Sequence, residues 1–256
     1  MRIEGKVALI TGASEGIGAA CAAEFARAGA RLSLTARSEE GLRRAAPDAL
    51  IVPGDLTSDE TRRRVVDQTL ERYGAIDILV NNAGAGLYLP SWCAPMDEAR
   101  RVMELNFFAL LGMVQLVTPQ MRARGSGTIV NVGSIGGKIT LPWLTLYCAA
   151  KSAVGTLTEG LRMELARDGI RTMLVCPGYV ETNFQQNVRL GRPPEAMVRR
   201  RRFAITAAEC ARDIRRGVER DARTVMSPGF GRILVALARL APSLVEARLA
   251  AWNGTA

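Results

Sequence analysis

The first thirty residues constrain the fold more than any other stretch. Residues 6–11 (Lys-Val-Ala-Leu-Ile-Thr) are almost wholly apolar, the pattern of a strand covered on both faces of a parallel sheet. A glycine turn follows (Gly12, Ala13, Ser14, Glu15, Gly16, Ile17, Gly18), then an alanine-rich helical stretch to about Ala28 that Gly29 ends. Strand, glycine turn and helix in this order suit a dinucleotide pyrophosphate. Glycines let the backbone approach closely, and the helix N-terminus presents free N–H groups and the positive end of a dipole. A lone glycine turn is a weak signal, because glycine also punctuates loops for steric reasons; the flanking strand and helix give it weight.

The same alternation continues along the chain. Strand patterns recur at 31–36, 49–53, 76–80, 127–132, 171–176 and 222–226, with helical stretches such as 58–73, 147–167 and 206–220 between them. About seven strands interleaved with helices predict an α/β fold, a doubly wound parallel sheet with helices on both faces. A length of 256 residues with 48% apolar content suits a single domain, 1–256, with a full core. No apolar run reaches 18 uninterrupted residues and Met1 leads almost directly into the first strand, so a cytoplasmic protein is expected. The five cysteines (Cys21, Cys93, Cys148, Cys176, Cys210) never form Cys-x-x-Cys; they read as small core residues, with no metal site and no disulfide frame. The net charge of +9 raises anionic partners, but the arginines are scattered and no nucleic-acid module accompanies them, which argues against nucleic acid.

The end of the second strand selects the coenzyme. Dinucleotide units that hold the ribose hydroxyls of NAD place an Asp or Glu there, whereas a cation suits a 2′-phosphate. This chain has Ala36 and then Arg37, which predicts NADP(H) with Arg37 and Ser14 on the phosphate. Glu15 departs from that logic, since its charge would oppose the phosphate.

Farther along, Ser134 closes the strand at 127–132, and Tyr147 and Lys151 stand four apart at the start of a helical pattern, on one helix face. With four Tyr and three Lys in 256 residues, roughly 0.05 such pairs are expected by chance. An ammonium beside a phenol favours the phenolate, and the chain has no His, so Tyr147 assisted by Lys151 is one of few routes to a general acid or base poised near neutrality.

Taken together, Thr11-Gly12-x-x-x-Gly16-Ile17-Gly18, Asp55, Asn81-Asn82-Ala83-Gly84, Asn106, Ser134, Tyr147-x-x-x-Lys151 and Pro177-Gly178 resemble the short-chain dehydrogenase/reductases, with a Rossmann-type sheet, over about residues 3–228. The resemblance implies roles residue by residue. Asp55 contacts the adenine and Leu56 flanks it; Asn82, Ala83 and Gly84 line the path of the adenosine ribose. Asn106, mid-helix, holds a water in a proton relay; Ser134 holds the substrate oxygen; Lys151 contacts the nicotinamide ribose and lowers the Tyr147 pKa. Pro177 and Gly178 pass the nicotinamide end, with Val180 near the carboxamide and Thr182 on the carboxamide or pyrophosphate. Pairing into a homodimer or homotetramer through the helices carrying Asn106 and Tyr147 is likewise implied by resemblance.

Two further segments bear on the substrate. Residues 183–205 correspond to the family's variable lid and are rich in arginine (Arg189, Arg192, Arg199 to Arg202), and 229–256 is a basic amphipathic extension broken at Pro242. The lid is either a solvated face or a dock for an acidic carrier protein, a CoA phosphate or anionic lipid. The extension suits packing on this protein, on a twin subunit or on a membrane surface. Leu87, Tyr88, Leu89, Leu141, Trp143, Tyr179 and Phe184 are expected to form an apolar pocket wall, with Ser134 and Tyr147 at the reacting oxygen. A hydrophobic ketone, lipid-like, steroid-like or a long-chain 3-oxo compound, fits such a wall better than a sugar. A 3-oxoacyl thioester on a carrier protein or CoA is the alternative within enzymes, and a non-catalytic NADP(H)-binding regulator the alternative outside them.

Overall fold

In the computed structural model, which describes residues 1–185, 188, 190–192 and 204–251, strands and helices alternate as the sequence predicts. The first half runs β1 (Val7–Thr11), α1 (Gly16–Arg27), β2 (Arg31–Thr35), α2 (Glu39–Ala45), β3 (Leu50–Ile51), α3 (Asp59–Tyr73) and β4 (Ile78–Asn81). The second half adds α4 (Met96–Met103), a π-helical turn (Glu104–Phe108), α5 (Ala109–Arg124), β5 (Gly127–Val132), α6 (Thr145–Glu164) and β6 (Ile170–Pro177). It closes with β7 (Val180–Glu181), β8 (Ile205–Thr206), α7 (Ala207–Glu219), β9 (Thr224–Ser227), α8 (Gly231–Leu240) and α9 (Pro242–Ala250).

Seven strands pair in the order β3-β2-β1-β4-β5-β6-β9, and every pairing is parallel. The chain winds outward from β1 to β3, then crosses back to place β4 on the other side of β1. Ligands bind outside the carboxyl ends of strands at such a reversal. Alternation along each strand fills two layers. Ala8, Ile10, Ile78 and Val130 point toward Phe25 of α1 and Ile214 of α7, while Leu9, Leu79 and Ile129 point toward Val65 of α3, Met113 of α5 and Val154 of α6. Cys21, Cys148, Cys176 and Cys210 are buried free thiols, and Cys93 is exposed.

Several boundaries differ from expectation. The strand expected at 49–53 is regular only over Leu50 and Ile51, at the sheet edge, although Val52 N and Gly54 N still donate to Leu34 O and Ala36 O, both at 3.0 Å; Pro53, between them, turns its missing N–H to the open edge. The 147–167 helix begins earlier, at Thr145, and ends at Glu164. The extension forms two helices, with Pro242 in the first turn of the second, where its missing N–H is not needed. Of the lid, Arg189 and Arg199 to Arg202 lie outside the described residues, as does Trp252.

Met96–Arg124 is continuous and, with a mean hydropathy of 1.4 in one window, long and apolar enough to cross a membrane by length and composition. Here Ala109, Met113, Val117 and Met121 close the core beneath the sheet. The exposed large apolar side chains include Phe230, Ile233, Leu234, Leu237, Leu240 and Leu244. On α8, Arg232 and Arg239 stand roughly opposite Ile233 and Leu237 at about 100° per residue.

Candidate active site

A cleft of about 1000 Å³ runs along the carboxyl edge of the sheet, from Arg37 and Arg44 at one end to Tyr88, Phe184 and Gln185 at the other. Its floor is the turn between β1 and α1. Thr11 ends β1, and its Oγ1 accepts from the backbone N–H of Asn82 at 2.9 Å and of Ala83 at 3.1 Å. Asn82 Nδ2 donates to the carbonyls of Thr11 at 3.0 Å and Gly12 at 3.1 Å. These bonds staple the ends of β1 and β4 together. Gly18 has to be glycine, since a Cβ there would lie 2.1 Å from the Gly12 carbonyl oxygen. Glu15 places no side-chain cap on α1, so the first N–H groups of the helix are left for an anion. Gly12, Ser14, Glu15, Gly16, Ile17, Asn82, Ala83 and Gly84 all line the cleft. Asn82 lines the cleft as expected, and its side-chain amide also anchors the turn. Gly18 is not among the lining residues; it packs behind the turn instead.

At the end nearest α2 the cleft is lined by Ser14, Arg37, Ser38, Arg44, Asp55 and Leu56. Ser14 Cβ abuts Gly41, and Ser38 Oγ caps α2 by accepting from Gly41 N at 3.1 Å. That start point for α2 brings Arg44 round to the cleft, a second cation that the strand-end argument did not reach. Glu15 is drawn the other way, its carboxylate accepting from Asn183 Nδ2 at 3.3 Å. Asp55 closes a turn, its Oδ1 accepting from the N–H and hydroxyl of Thr57, both at 2.9 Å. The Leu56 side chain is largely in the core. Pro177, Gly178, Val180 and Thr182 form the opposite rim, and Thr182 Cγ2 lies 3.2 Å from where a Cβ on Gly16 would be.

Ser134, Tyr147 and Lys151 meet midway. Tyr147, in the first turns of α6, faces Ser134, whose Oγ accepts from Gly136 N at 3.0 Å. Lys151, one turn on, is buried; its ammonium donates to the Val132 carbonyl at 2.9 Å and lies 5.7 Å from the Tyr147 ring centroid. Asn106 sits in the π-helical turn rather than in regular helix, an irregularity frequent at functional sites. Its Nδ2 donates to Ala85 O and Val102 O, both at 2.9 Å, while its fully buried Oδ1 has no partner among the described residues. A Cβ on Gly84 would lie 2.6 Å from that Oδ1 and 3.3 Å from Lys151 Nζ, so Gly84 leaves open the space where the two converge.

The electrostatics correct one expectation. Lys151 does not acidify Tyr147 here: burial pushes the phenol well above its ordinary value, opposed in part by the Ser134 hydrogen bond. Burial also pulls the Lys151 ammonium down to about 8. Spacing brought the two side chains together, but desolvation outweighs a cation that is directed at Val132 O. The phenol therefore keeps its proton through the neutral range and is arranged to give it away.

The sequence of the chain matches the short chain dehydrogenase family over residues 6–193. The chain belongs to the short-chain dehydrogenases. Among relatives, a dehydrogenase/reductase SDR family protein 7-like of Anopheles gambiae is 34% identical over 94% of this chain and 81% of its own. The 11-beta-hydroxysteroid dehydrogenase 1A of Arabidopsis thaliana is 32% identical over 98% and 77%. Among solved structures, a short-chain dehydrogenase/reductase of Burkholderia phymatum in complex with NAD superposes with a TM-score of 0.85 at 26% identity, covering 95% of this chain and 96% of that one. One of Burkholderia cenocepacia in complex with NADP gives 0.82 at 29% identity, covering 97% and 99%. A 3-ketoacyl-(acyl-carrier-protein) reductase of Brucella melitensis with NADH gives 0.79 at 28%, covering 88% and 97%.

In this short-chain dehydrogenase the predicted substrate wall is half right. Tyr88, Leu141, Tyr179 and Phe184 line the cleft with Ser134 and Tyr147, and the Phe184 ring lies 5.5 Å from that of Tyr147. Leu87 does not: it is 1% exposed and packs into a satellite core with Val102 and Ala150. Trp143 is absent from the lining too; it occupies the turn before α6 at a φ of +67°. Leu89 does not line it either, and Leu144 and Gln185 take these places. Of these, Gln185 carried no signal in the sequence, and Thr11 and Arg44 needed the register of β1 and α2.

Proposed function

We propose that this short-chain dehydrogenase interconverts a ketone and a secondary alcohol on a hydrophobic substrate, with NADP(H) as coenzyme. The observation that carries the reading is Ser134, Tyr147 and Lys151 in one cleft with a glycine turn and with Arg37 and Arg44. The cleft fits a dinucleotide: the uncapped start of α1 takes the pyrophosphate, Arg37 and Arg44 the 2′-phosphate, and Asp55 and Leu56 the adenine. Val180 and Thr182 hold the carboxamide end. When bound, the nicotinamide supplies the hydride in reduction and takes it in oxidation. Tyr147 gives its proton to the carbonyl oxygen, which Ser134 orients. The Lys151 ammonium holds the ribose and steadies the charge left on the phenolate. Asn106 Oδ1, otherwise unsatisfied beside that ammonium, accepts from a water that returns the proton.

NADP over NAD is supported by the two arginines and by Glu15 being drawn toward Asn183. Replacing Arg37 by Ala is expected to raise the Kd for NADPH about tenfold, and replacing Arg44 as well to raise it further, with NADH nearly unaffected. Fluorescence titration with both coenzymes checks this, and equal losses for the two would contradict the phosphate assignment.

A lipid-like or steroid-like ketone is supported by Leu105, Leu141, Leu144 and Phe184 on the wall and by the names of the Arabidopsis relatives. The ketoacyl reductase neighbour favours a second substrate reading, a 3-oxoacyl thioester. Loss of nicotinamide absorbance with NADPH and a panel of hydrophobic ketones and 3-oxoacyl thioesters tests both. Tight coenzyme binding with no turnover across the panel would instead support a regulator.

A further inference from the structure

The far end of the cleft is not uniformly apolar. Tyr179 donates its hydroxyl to Gln185 Oε1 at 3.2 Å, and Tyr88, from a loop almost a hundred residues earlier in the chain, faces the same amide. All three line the cleft on the side of Tyr147 and Phe184. Tyr88 is held rigidly: it is 3% exposed, and its backbone N–H donates to Leu190 O at 3.0 Å. Burial pushes its phenol up to about 12, so it stays a neutral donor and acceptor. An amide and two phenols carry more donors and acceptors than they satisfy in one another. Polar groups at an apolar wall are costly to cover with hydrocarbon alone.

We infer that Gln185, Tyr179 and Tyr88 form a polar clamp for a second oxygen, hydroxyl or carbonyl, carried by the substrate beyond the reacting ketone. The inference deepens the proposed function and rests on its assignment of this end of the cleft to substrate. Such a site favours an oxygenated hydrophobic ketone over the plain hydrocarbon analogue, because the analogue leaves the clamp desolvated and unpaired. Leu141, Leu144 and Phe184 hold the intervening skeleton.

Two matched pairs of ketones test it: a long-chain methyl ketone with and without a hydroxyl at its far end, and a rigid polycyclic ketone with and without a distal hydroxyl. With NADPH the protein is expected to favour an oxygenated member about tenfold in kcat/KM, mostly through KM, the size of one satisfied hydrogen bond. Binding is measured in parallel by calorimetry in the complex with oxidised coenzyme. Tyr179→Phe, which removes a single oxygen, and Gln185→Leu are expected to bring the ratio within each pair close to one. No preference in the unmodified protein, or the same ratio in both variants, would overturn the clamp. If no ketone is turned over, the reductase reading fails, and the ratio of Kd values between the members of each pair still decides the clamp.

Discussion

Replacing Tyr147 by Phe is expected to lower ketone turnover by about 10³-fold while leaving the Kd for NADPH within about threefold. The substitution removes one oxygen from a ring already packed against Phe184, so the wall keeps its shape. It also removes the one proton that burial and Ser134 keep beside the reacting centre. General acid catalysis by a positioned group contributes about 10²–10⁴-fold. Steady-state rates of NADPH oxidation and a coenzyme titration on the same preparation check both halves. Undiminished turnover would refute the acid role.

Lys151→Met has the second large effect, and it reads out without substrate. The ammonium is pulled from its ordinary value of 10.5 to about 8 by burial. The unfolded chain therefore binds this proton more tightly than the folded one. The sign follows: the native state is penalised below about pH 8 and gains stability as pH rises toward 10.5. At 1.36 kcal/mol per unit the gain is roughly 3 kcal/mol. Urea unfolding of the coenzyme-free protein and of Lys151→Met at pH 7 and pH 10 isolates it, because other titrations cancel in the difference. The unmodified protein is expected to gain about 2–3 kcal/mol on the variant over that range. Loss of the hydrogen bond to Val132 O shifts the variant by an amount that does not change with pH. A flat difference would mean that Lys151 is not desolvated as described. The variant is also expected to lose about 10²-fold or more in kcat/KM, since both the ribose contact and the cation near the phenolate go with it.

The motifs were readable because their spacing is tied to backbone geometry. Tyr147 and Lys151 four apart share a helix face whatever the surroundings, and a glycine turn between an apolar strand and a helix has few other structural uses. What spacing could not convey was direction and dielectric. Leu87 and Trp143 have the apolar character of a pocket wall, yet one turns into the satellite core and the other lies in a turn. Tyr147 and Lys151 are neighbours, but burial reverses the expected shift of the phenol. The Asn106 helix looked regular, and only the backbone reveals the π-helical turn that carries it. Gln185 meets Tyr88 across a long gap in sequence, a juxtaposition no local pattern encodes.

Because the sheet order reverses between β1 and β4, the end of the cleft with Arg37 and Arg44 is contributed by the first sixty residues and the end with Tyr147 by residues beyond Asn82. Neither portion of the polypeptide possesses a complete binding site. Capture of a whole dinucleotide thus becomes a reporter of finished folding, and it ties the two portions together by mass action. Protease resistance acquired on adding coenzyme should accordingly extend across both at once.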